Sequence, residues 1–361
     1  MSDLEEIAVE RGERSGALMT VAVHSTVLGP ALGGARLWRY DRPEAAIEDA
    51  RRLAEAMTYK ASAAGLDLGG GKGVIAAPGE MRPEGDLRRA ILLDFGDLVE
   101  SLEGRYVTAE DVGTGAADMA VIAERTEHVV GLGPERGGSG DPSPVTAIGV
   151  RAAMRACAEH RWGGAELAGR HIVLVGFGHV GSHLARLLRA DGARLTITDV
   201  DDSCRGPVEA IGAEWVEPAD ALSIPCDVLA PCALGGLIDE RSVERLGAEV
   251  LCGSANNVLA EEQVAERLAE RGILYAPDFI ANAGGLISVY GDLKGTPHEE
   301  ALRLAAGIEG TIAAVLADAE RRGLIPLVAA RDLAQARLRA AQRPRVGGAE
   351  ARPAGIHLRH S

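Results

Sequence analysis

The sequence predicts an α/β protein of two domains, and three observations carry that reading. The chain is 361 residues long, roughly two domains at about 150 residues each. Beyond about residue 144, short apolar strands alternate with helical segments, the pattern of a doubly wound parallel sheet. Before that point strands and helices mix less regularly. The two parts meet at GLGPERGGSGDPSP (131–144), which has the Gly and Pro density of a hinge. The expected domains are therefore 1–140 and 141–325.

Composition narrows the function classes. With 47% apolar and 25% charged residues, the chain has ample material for a core, so disorder is excluded as its main theme. A net charge of −15 argues against nucleic acid or an anionic membrane as the main partner. At 3%, aromatics are too few for base-stacking platforms. The start, MSDLEEIAVERGERSG, is acidic and lacks the apolar stretch of a secretory signal. No uncharged apolar run approaches the ~18 residues of a membrane span. Cys157, Cys204, Cys226, Cys232 and Cys252 form no CxxC and give no zinc spacing, so no metal is expected. They read as reduced, core-packing thiols of a cytoplasmic protein.

Taken in order, residues 17–25 (ALMTVAVHS) read as a strand, followed by a Gly-rich turn, LGPALGGAR. Asp41 as cap and Pro43 in the first turn open a helix through EAAIEDARRLAEAMTYKASAAG. Its apolar stripe runs through Ile47, Ala50, Leu53, Ala54, Met57, Ala61 and Ala64. After Gly65 come an extended stretch, the triplet Gly69–Gly71 and a strand in KGVIAAP. A helix over 84–102 and a strand in RYVTAED complete the first part. In the second, a helix over about 144–159 precedes the strand HIVLVG, a helix, the strand RLTITDV and another helix. Further strands fall in DVLAPC, EVLCGSA and ILYAPDF. Helices near 299–323 and 326–342 end the ordered part. From Arg337 there are six arginines against one glutamate, and 343–361 reads as a flexible, solvated tail.

Three groups carry chemistry. In HIVLVGFGHVGSHLARLL, Gly176, Gly178 and Gly181 stand at GxGxxG spacing, directly after a strand and opening a helix. The first glycine makes the turn, the second admits a pyrophosphate to the backbone, and the third allows close helix–strand packing. Phe177, His179 and Val180 lie within that turn, whose helix N-terminus offers N–H groups to an anion. Asp199 ends the next strand, 18 residues past Gly181, where it can accept from a ribose and repel a 2′-phosphate, favouring NAD.

The second group is a pair of lysines. Lys60 lies three residues beyond Met57 and seven beyond Leu53, on its helix's apolar face, where it needs a carboxylate or an anionic ligand. Lys72 follows three glycines, in a confined place where a depressed pKa suits acid–base work. An internal ion pair for Lys60 and an exposed loop position for Lys72 are the plainer alternatives. The third is Asp111, at the end of a strand in VTAEDVGTG and placed to exchange protons. Glu110 competes for that role, and Asp111 could instead cap a helix.

These residues fall in a larger set. LGPALGGARLWRY, MTYKASAAGLDLGGGKGVI, TAEDVGTG, DPSPVTA, GFGHVG, APCALGG, GSANN and APDFIANAGG occur in one order across about 29–287. The chain resembles the glutamate/leucine/phenylalanine/valine dehydrogenase superfamily, most of all its shorter branched-chain and aromatic members. The resemblance implies a catalytic domain, completed by a last helix over about 326–342, facing a Rossmann NAD-binding domain across a cleft. It also implies reversible oxidative deamination of an L-amino acid to a 2-oxo acid and ammonia, by a homo-oligomer. Carried over residue by residue, Lys60 binds the substrate carboxylate, Lys72 activates water and Asp111 moves protons to and from the amine. Gly33 and Gly34 let the substrate lie near backbone. Thr146, Asn256 and Asn282 hold the nicotinamide and the substrate amine. Asp141, His179 and Gly73 depart from the family pattern, where Asn, Asn and Ala or Ser are usual, and none is a reacting group.

Side-chain preference turns on Leu32. Glutamate enzymes carry a lysine there, and an aliphatic residue cannot offset the desolvation of a second carboxylate. Phenylalanine-preferring relatives tend to have a smaller residue, so Leu32 predicts a narrow pocket for valine, leucine or isoleucine. PERGGSG and GILYAPDFIANAGG lean the other way, towards phenylalanine, and the helix near 299–312 is expected to supply the rest of the wall. Two rival readings fit the residues less well. A 2-hydroxy-acid dehydrogenase would want a His/acid pair that no histidine here offers. A non-catalytic NAD-responsive binding protein would have no need of paired lysines.

Overall fold

A computed structural model describes residues 4–77, 83–342 and 357–358, and the chain divides into two units. The first runs to Gly140 and includes Val289–Gly295 and the chain from Ala334 onward. The second is Asp141–Ser288 with Thr296–Leu333.

The first unit is built on β1 (Glu6–Arg11), β2 (Leu18–Ser25), β3 (Ala31–Trp38), α1 (Pro43–Ala63), β4 (Gly69–Ala76), α2 (Gly85–Glu100), β5 (Tyr106–Glu110) and α3 (Ala116–Ile122). Its sheet runs β1-β2-β4-β3-β5, with a short strand, His357–Leu358, on the outer side of β1. β2 is antiparallel to β1 and β4, whereas β3 lies parallel between β4 and β5. Alternation along β4 sorts its residues between two helices. Gly71 and Gly73 face α2: a Cβ at Gly71 would stand 2.7 Å from the Tyr106 ring, and one at Gly73 2.4 Å from Phe95. Gly70, Lys72 and Val74 face α1 instead, where Val74 packs against Ala46, Ala50 and Ala54. The alanine face brings α1 so close that a Cβ at Gly70 would lie 2.1 Å from the Thr58 nitrogen.

The second unit holds α4 (Ser143–Trp162), β6 (His171–Val175), α5 (His179–Ala190), β7 (Arg194–Thr198), α6 (Arg205–Ala210), β8 (Glu214–Trp215), β9 (Cys226–Pro231), β10 (Ala248–Leu251), α7 (Val264–Glu270) and β11 (Leu274–Tyr275). Helices α8 (Asp278–Ala281), α9 (Gly284–Lys294), α10 (His298–Ala306), α11 (Ile308–Arg322) and α12 (Pro326–Gln342) follow, and α9 and α12 each run on into the first unit. All strands pair in parallel, in the order β8-β7-β6-β9-β10-β11. The order reverses at β6, so the ligand crevice of such a sheet lies at the C-terminal end of that strand.

Several expectations change. LGPALGGAR is not a turn: from Ala31 it is β3, an interior strand whose glycines fit where backbones approach closely. A Cβ at Gly33 would lie 1.8 Å from the Gly71 carbonyl oxygen. β1 and α3 were not anticipated. Asp41 does not cap α1; Arg42 stands at the N-cap without a side-chain bond, and Pro43 supplies the helical φ while needing no acceptor. The single helix expected over 299–323 is interrupted at Gly307. Of the helix expected to complete the first domain, only the part from Ala334 belongs to that unit. There Ser62 Oγ donates to the Ala334 carbonyl at 2.7 Å, and Arg337 reaches the Leu66 carbonyl at 2.6 Å. Apart from 357–358, the expected tail 343–361 lies outside the described residues. Among the described residues, no helix is long and apolar enough to cross a membrane.

Candidate active site

In the first unit, β3, β4 and the end of β5 bring Leu32, Gly34, Lys72 and Asp111 to the α1 side of the sheet. Lys72 is 4% exposed, and its Nζ lies 2.8 Å from Asp111 Oδ2. It is a buried sheet residue, which removes the alternative of an exposed loop lysine. Burial drives its pKa down from the ordinary lysine value, and the Asp111 carboxylate opposes that fall. Burial alone would raise the Asp111 carboxyl, but Lys72 and then Arg36 hold it below the usual carboxylate range. Asp111 is no helix cap, since Gly115 holds that place on α3. Its turn is set locally: its N–H donates to Thr114 Oγ1 at 3.0 Å, and the Thr114 N–H returns a bond to its carbonyl. Glu110, the competing acid, is the last residue of β5.

Gly34 clears the space that Asp111 occupies, because a Cβ there would stand 2.7 Å from the Asp111 Cβ. Gly33 faces the other way, and its bareness serves the contact with β4. Its carbonyl accepts from Tyr106 at 2.5 Å. Leu32 shares the Lys72 side and is 2% exposed. Lys60 is half-buried in the last turn of α1, two residues past the Thr58–Gly70 contact, at the border of the buried stripe. Beside it, Gln335 of α12 reaches the Tyr59 hydroxyl at 3.4 Å. The Gly73 departure lies on the α2 face, away from Lys72.

Sequence reasoning missed Arg36. Its Nε is 3.0 Å from Asp111 Oδ2 and its Nη1 2.9 Å from Asp49 Oδ2, which also accepts from the Tyr40 hydroxyl at 2.6 Å. Reading LGGAR as a strand would have found it, since residues 32, 34 and 36 then share one face. A second overlooked signal is scarcity. Only three of the 38 Lys and Arg residues are lysines (Lys60, Lys72 and Lys294), so the deprotonatable cation is confined to few positions.

In the second unit the three fingerprint glycines divide their work. Gly176 has φ +107°, and a Cβ there would lie 2.9 Å from the Ala233 nitrogen. Gly181 packs α5 onto the turn, with a Cβ position 2.1 Å from the Gly176 carbonyl oxygen. Gly178 opens on space, with nothing within 4 Å of its Cβ position. It is also the N-cap of α5 and bears no side chain to satisfy the first N–H groups. Phe177 donates its N–H to Asp199 Oδ2 at 2.6 Å, and Asp201 donates to Oδ1 at 3.0 Å, so the acid is tied to the turn. Val180 and His179 form the first turn of α5.

Asn282 is 4% exposed, and its Nδ2 reaches the Ser254 and Ala255 carbonyls and Asn256 Oδ1 at 3.3, 3.2 and 3.0 Å. Its Oδ1 is buried without a hydrogen-bond partner. An orphaned acceptor is costly to keep and fits a ligand N–H. Thr146, in the first turn of α4, donates to the Pro142 carbonyl at 3.0 Å. The bare glycine turn, the tethered Asp199 and the orphaned Asn282 oxygen together fit a dinucleotide with an amide on its reactive ring.

Comparison with known proteins agrees with this geometry. The chain matches the Glu/Leu/Phe/Val dehydrogenase dimerisation domain over residues 7–128 and the Glutamate/Leucine/Phenylalanine/Valine dehydrogenase domain over 198–344. It is 45% identical to a leucine dehydrogenase of Bacillus cereus, over 93% of this chain and 91% of that one. A valine dehydrogenase of Streptomyces virginiae is 44% identical, over 92% of this chain and 93% of its own. A solved L-tryptophan dehydrogenase from Nostoc punctiforme superposes with a TM-score of 0.82 at 36% identity, covering 94% of this chain and 96% of that one. With two domain matches and relatives aligned nearly end to end, this chain belongs to the glutamate/leucine/phenylalanine/valine dehydrogenase family.

Proposed function

We propose that the protein catalyses L-amino acid + NAD⁺ + H₂O to 2-oxo acid + ammonium + NADH + H⁺, reversibly, with valine, leucine or isoleucine as substrate. The observation that carries this reading is the pair of buried Lys72 and half-buried Asp111, 2.8 Å apart, in a chain aligned over most of its length with leucine and valine dehydrogenases. Lys60 holds the substrate α-carboxylate and so orients Cα. The coenzyme, when bound, accepts the hydride from Cα. Lys72, whose deprotonation burial favours, takes in its amine form a proton from the water that adds to the resulting imine carbon. Asp111, having taken a proton from the substrate ammonium before the hydride leaves, returns it to the nitrogen; as the C–N bond breaks, ammonia leaves and the hydroxyl on that carbon releases its proton to become the 2-oxo group.

Asp199, an acid where a 2′-phosphate would sit, supports NAD over NADP. The match to a dimerisation domain supports a homo-oligomer. Five free cysteines support a reducing, cytoplasmic setting. Leu32 supports a branched aliphatic side chain. An aromatic substrate is the second reading, favoured by the likeness to the tryptophan dehydrogenase. NADH formation with valine, leucine, isoleucine, phenylalanine and glutamate separates these. Lys72→Ala is expected to lower kcat by about 10²-fold or more, while leaving NADH binding by fluorescence within about twofold. NADH binding without turnover of any amino acid would leave the NAD-responsive binding protein as the better account.

A further inference from the structure

Asp111 gives one oxygen to two cations. Lys72 Nζ and Arg36 Nε both reach its Oδ2, at 2.8 and 3.0 Å. Arg36 is held from its other side as well. Asp49 Oδ2 takes its Nη1 at 2.9 Å, and Asp49 is itself fixed by the Tyr40 hydroxyl at 2.6 Å and by Arg52 at 2.8 Å. Charge therefore alternates along Lys72, Asp111, Arg36 and Asp49, from the buried strand β4 to the first turns of α1. At that outer end a groove of about 700 Å³ opens, lined by Arg36, Tyr40, Asp49 and Arg52 among others.

We propose that Arg36, anchored by Asp49, is a positioning residue that aims the Asp111 carboxylate at the Lys72 amine. The inference rests on the deaminase reading for its catalytic meaning and on geometry for its substance. A guanidinium is a planar, rigid fork, so fixing Nη1 on Asp49 fixes where Nε points. Without it, Asp111 is free to rotate its carboxylate away from Lys72, and a proton relay between amine and acid loses its alignment.

The same alternation predicts signs. Burial is the main force lowering the Lys72 pKa; Asp111 and Asp49 oppose it, and the Arg36 cation adds to it. On the same side of the sheet, His24 of β2 is bonded to Thr58 at 2.8 Å and pushed by burial towards its neutral form; Lys60 lies on α1, and Glu110 precedes Asp111. Removing Arg36 lifts one depressing charge but lets Asp111, the stronger opposing charge, turn away, so the Lys72 midpoint falls. Neutralising Asp49 removes an anion and lowers it. Were Arg36 only a nearby charge, with Asp111 held in place without it, its removal would raise the midpoint instead.

The test uses the full chain labelled with ¹³Cε-lysine, which gives only three signals, so Lys72 is assigned by its loss in Lys72→Ala. Arg36→Met is expected to move the Lys72 titration down by about half a pH unit or more, and Asp49→Asn to move it the same way. In turnover assays Arg36→Met is expected to lower kcat about tenfold or more, with Arg36→Lys between the two and NADH affinity unchanged in all. A midpoint that stays put or rises in Arg36→Met overturns the proposal. The titration is read without substrate, so failure of wild-type turnover with every amino acid would sink the deaminase reading separately.

Discussion

Asp141 Oδ2 lies 3.3 Å from His179 Nδ1, joining the residue ahead of α4 to the first residue of α5 at the glycine turn. These are two of the positions read from the sequence as departures from the usual asparagine, and they meet each other. Asp141 also accepts from the Ser143 N–H at 2.9 Å; burial opposes its ionisation, and the Ser143 and His179 bonds hold it below the usual carboxylate range.

The pair is exposed, His179 at 83% of its side chain and Asp141 at 46%, so solvent screens it. A double-mutant cycle with His179→Asn and Asp141→Asn on the NADH Kd is therefore expected to give a coupling of no more than about 1 kcal/mol. A coupling well above that would mean the pair is desolvated when coenzyme is bound and acts as one unit in holding it.

In the proposed function, Asp199 is the residue that sets coenzyme choice. Both of its oxygens are engaged by backbone N–H groups, so its charge is fixed at the end of β7. Asp199→Asn keeps an acceptor for Phe177 while removing the repulsion of a 2′-phosphate. The ratio of kcat/KM for NAD over NADP is expected to fall about tenfold, roughly 1.4 kcal/mol. Asp201 and Asp202 follow in the same turn, so the preference should narrow without inverting. An unchanged ratio would remove Asp199 from coenzyme discrimination.

What the sequence made legible follows from which signals are local. GFGHVG after an apolar run could be read because the turn, the strand and the helix N-terminus are contiguous, although the crowding at Gly176 comes from Ala233, far along the chain. MTYK and GGGK were legible as chemistry because a lysine on an apolar face and one after three glycines are both expensive placements. LGGAR misled for the same reason it works. Glycine in series reads as a turn when the backbone that approaches it, here Gly71 and Glu110, is far along the chain. Arg36 and Asp49 stayed hidden because their roles come from strand register and from the docking of α1 on the sheet. No periodicity in either segment encodes that contact.

Leu32 is the proposed determinant of substrate choice, and two physical roles predict different outcomes when it is cut back. It is 2% exposed beside Gly34 and opposite Gly70 in the register. If it only fills core, Leu32→Ala costs about 2–5 kcal/mol of stability and leaves the order of substrates alone. If it walls the substrate pocket, the vacated volume is paid back by a larger ligand, and preference moves towards phenylalanine. The pocket reading predicts that the kcat/KM ratio of leucine to phenylalanine falls about 10-fold or more, within the ~1–3 kcal/mol that hydrophobic discrimination supplies. Thermal midpoints measured with and without saturating NADH and phenylalanine separate the two, because only a pocket wall lets the aromatic ligand restore what the substitution lost. An unaltered substrate order with a lowered midpoint would assign Leu32 to the core and move the search for specificity to other residues on the Lys72 side of β3 and β4.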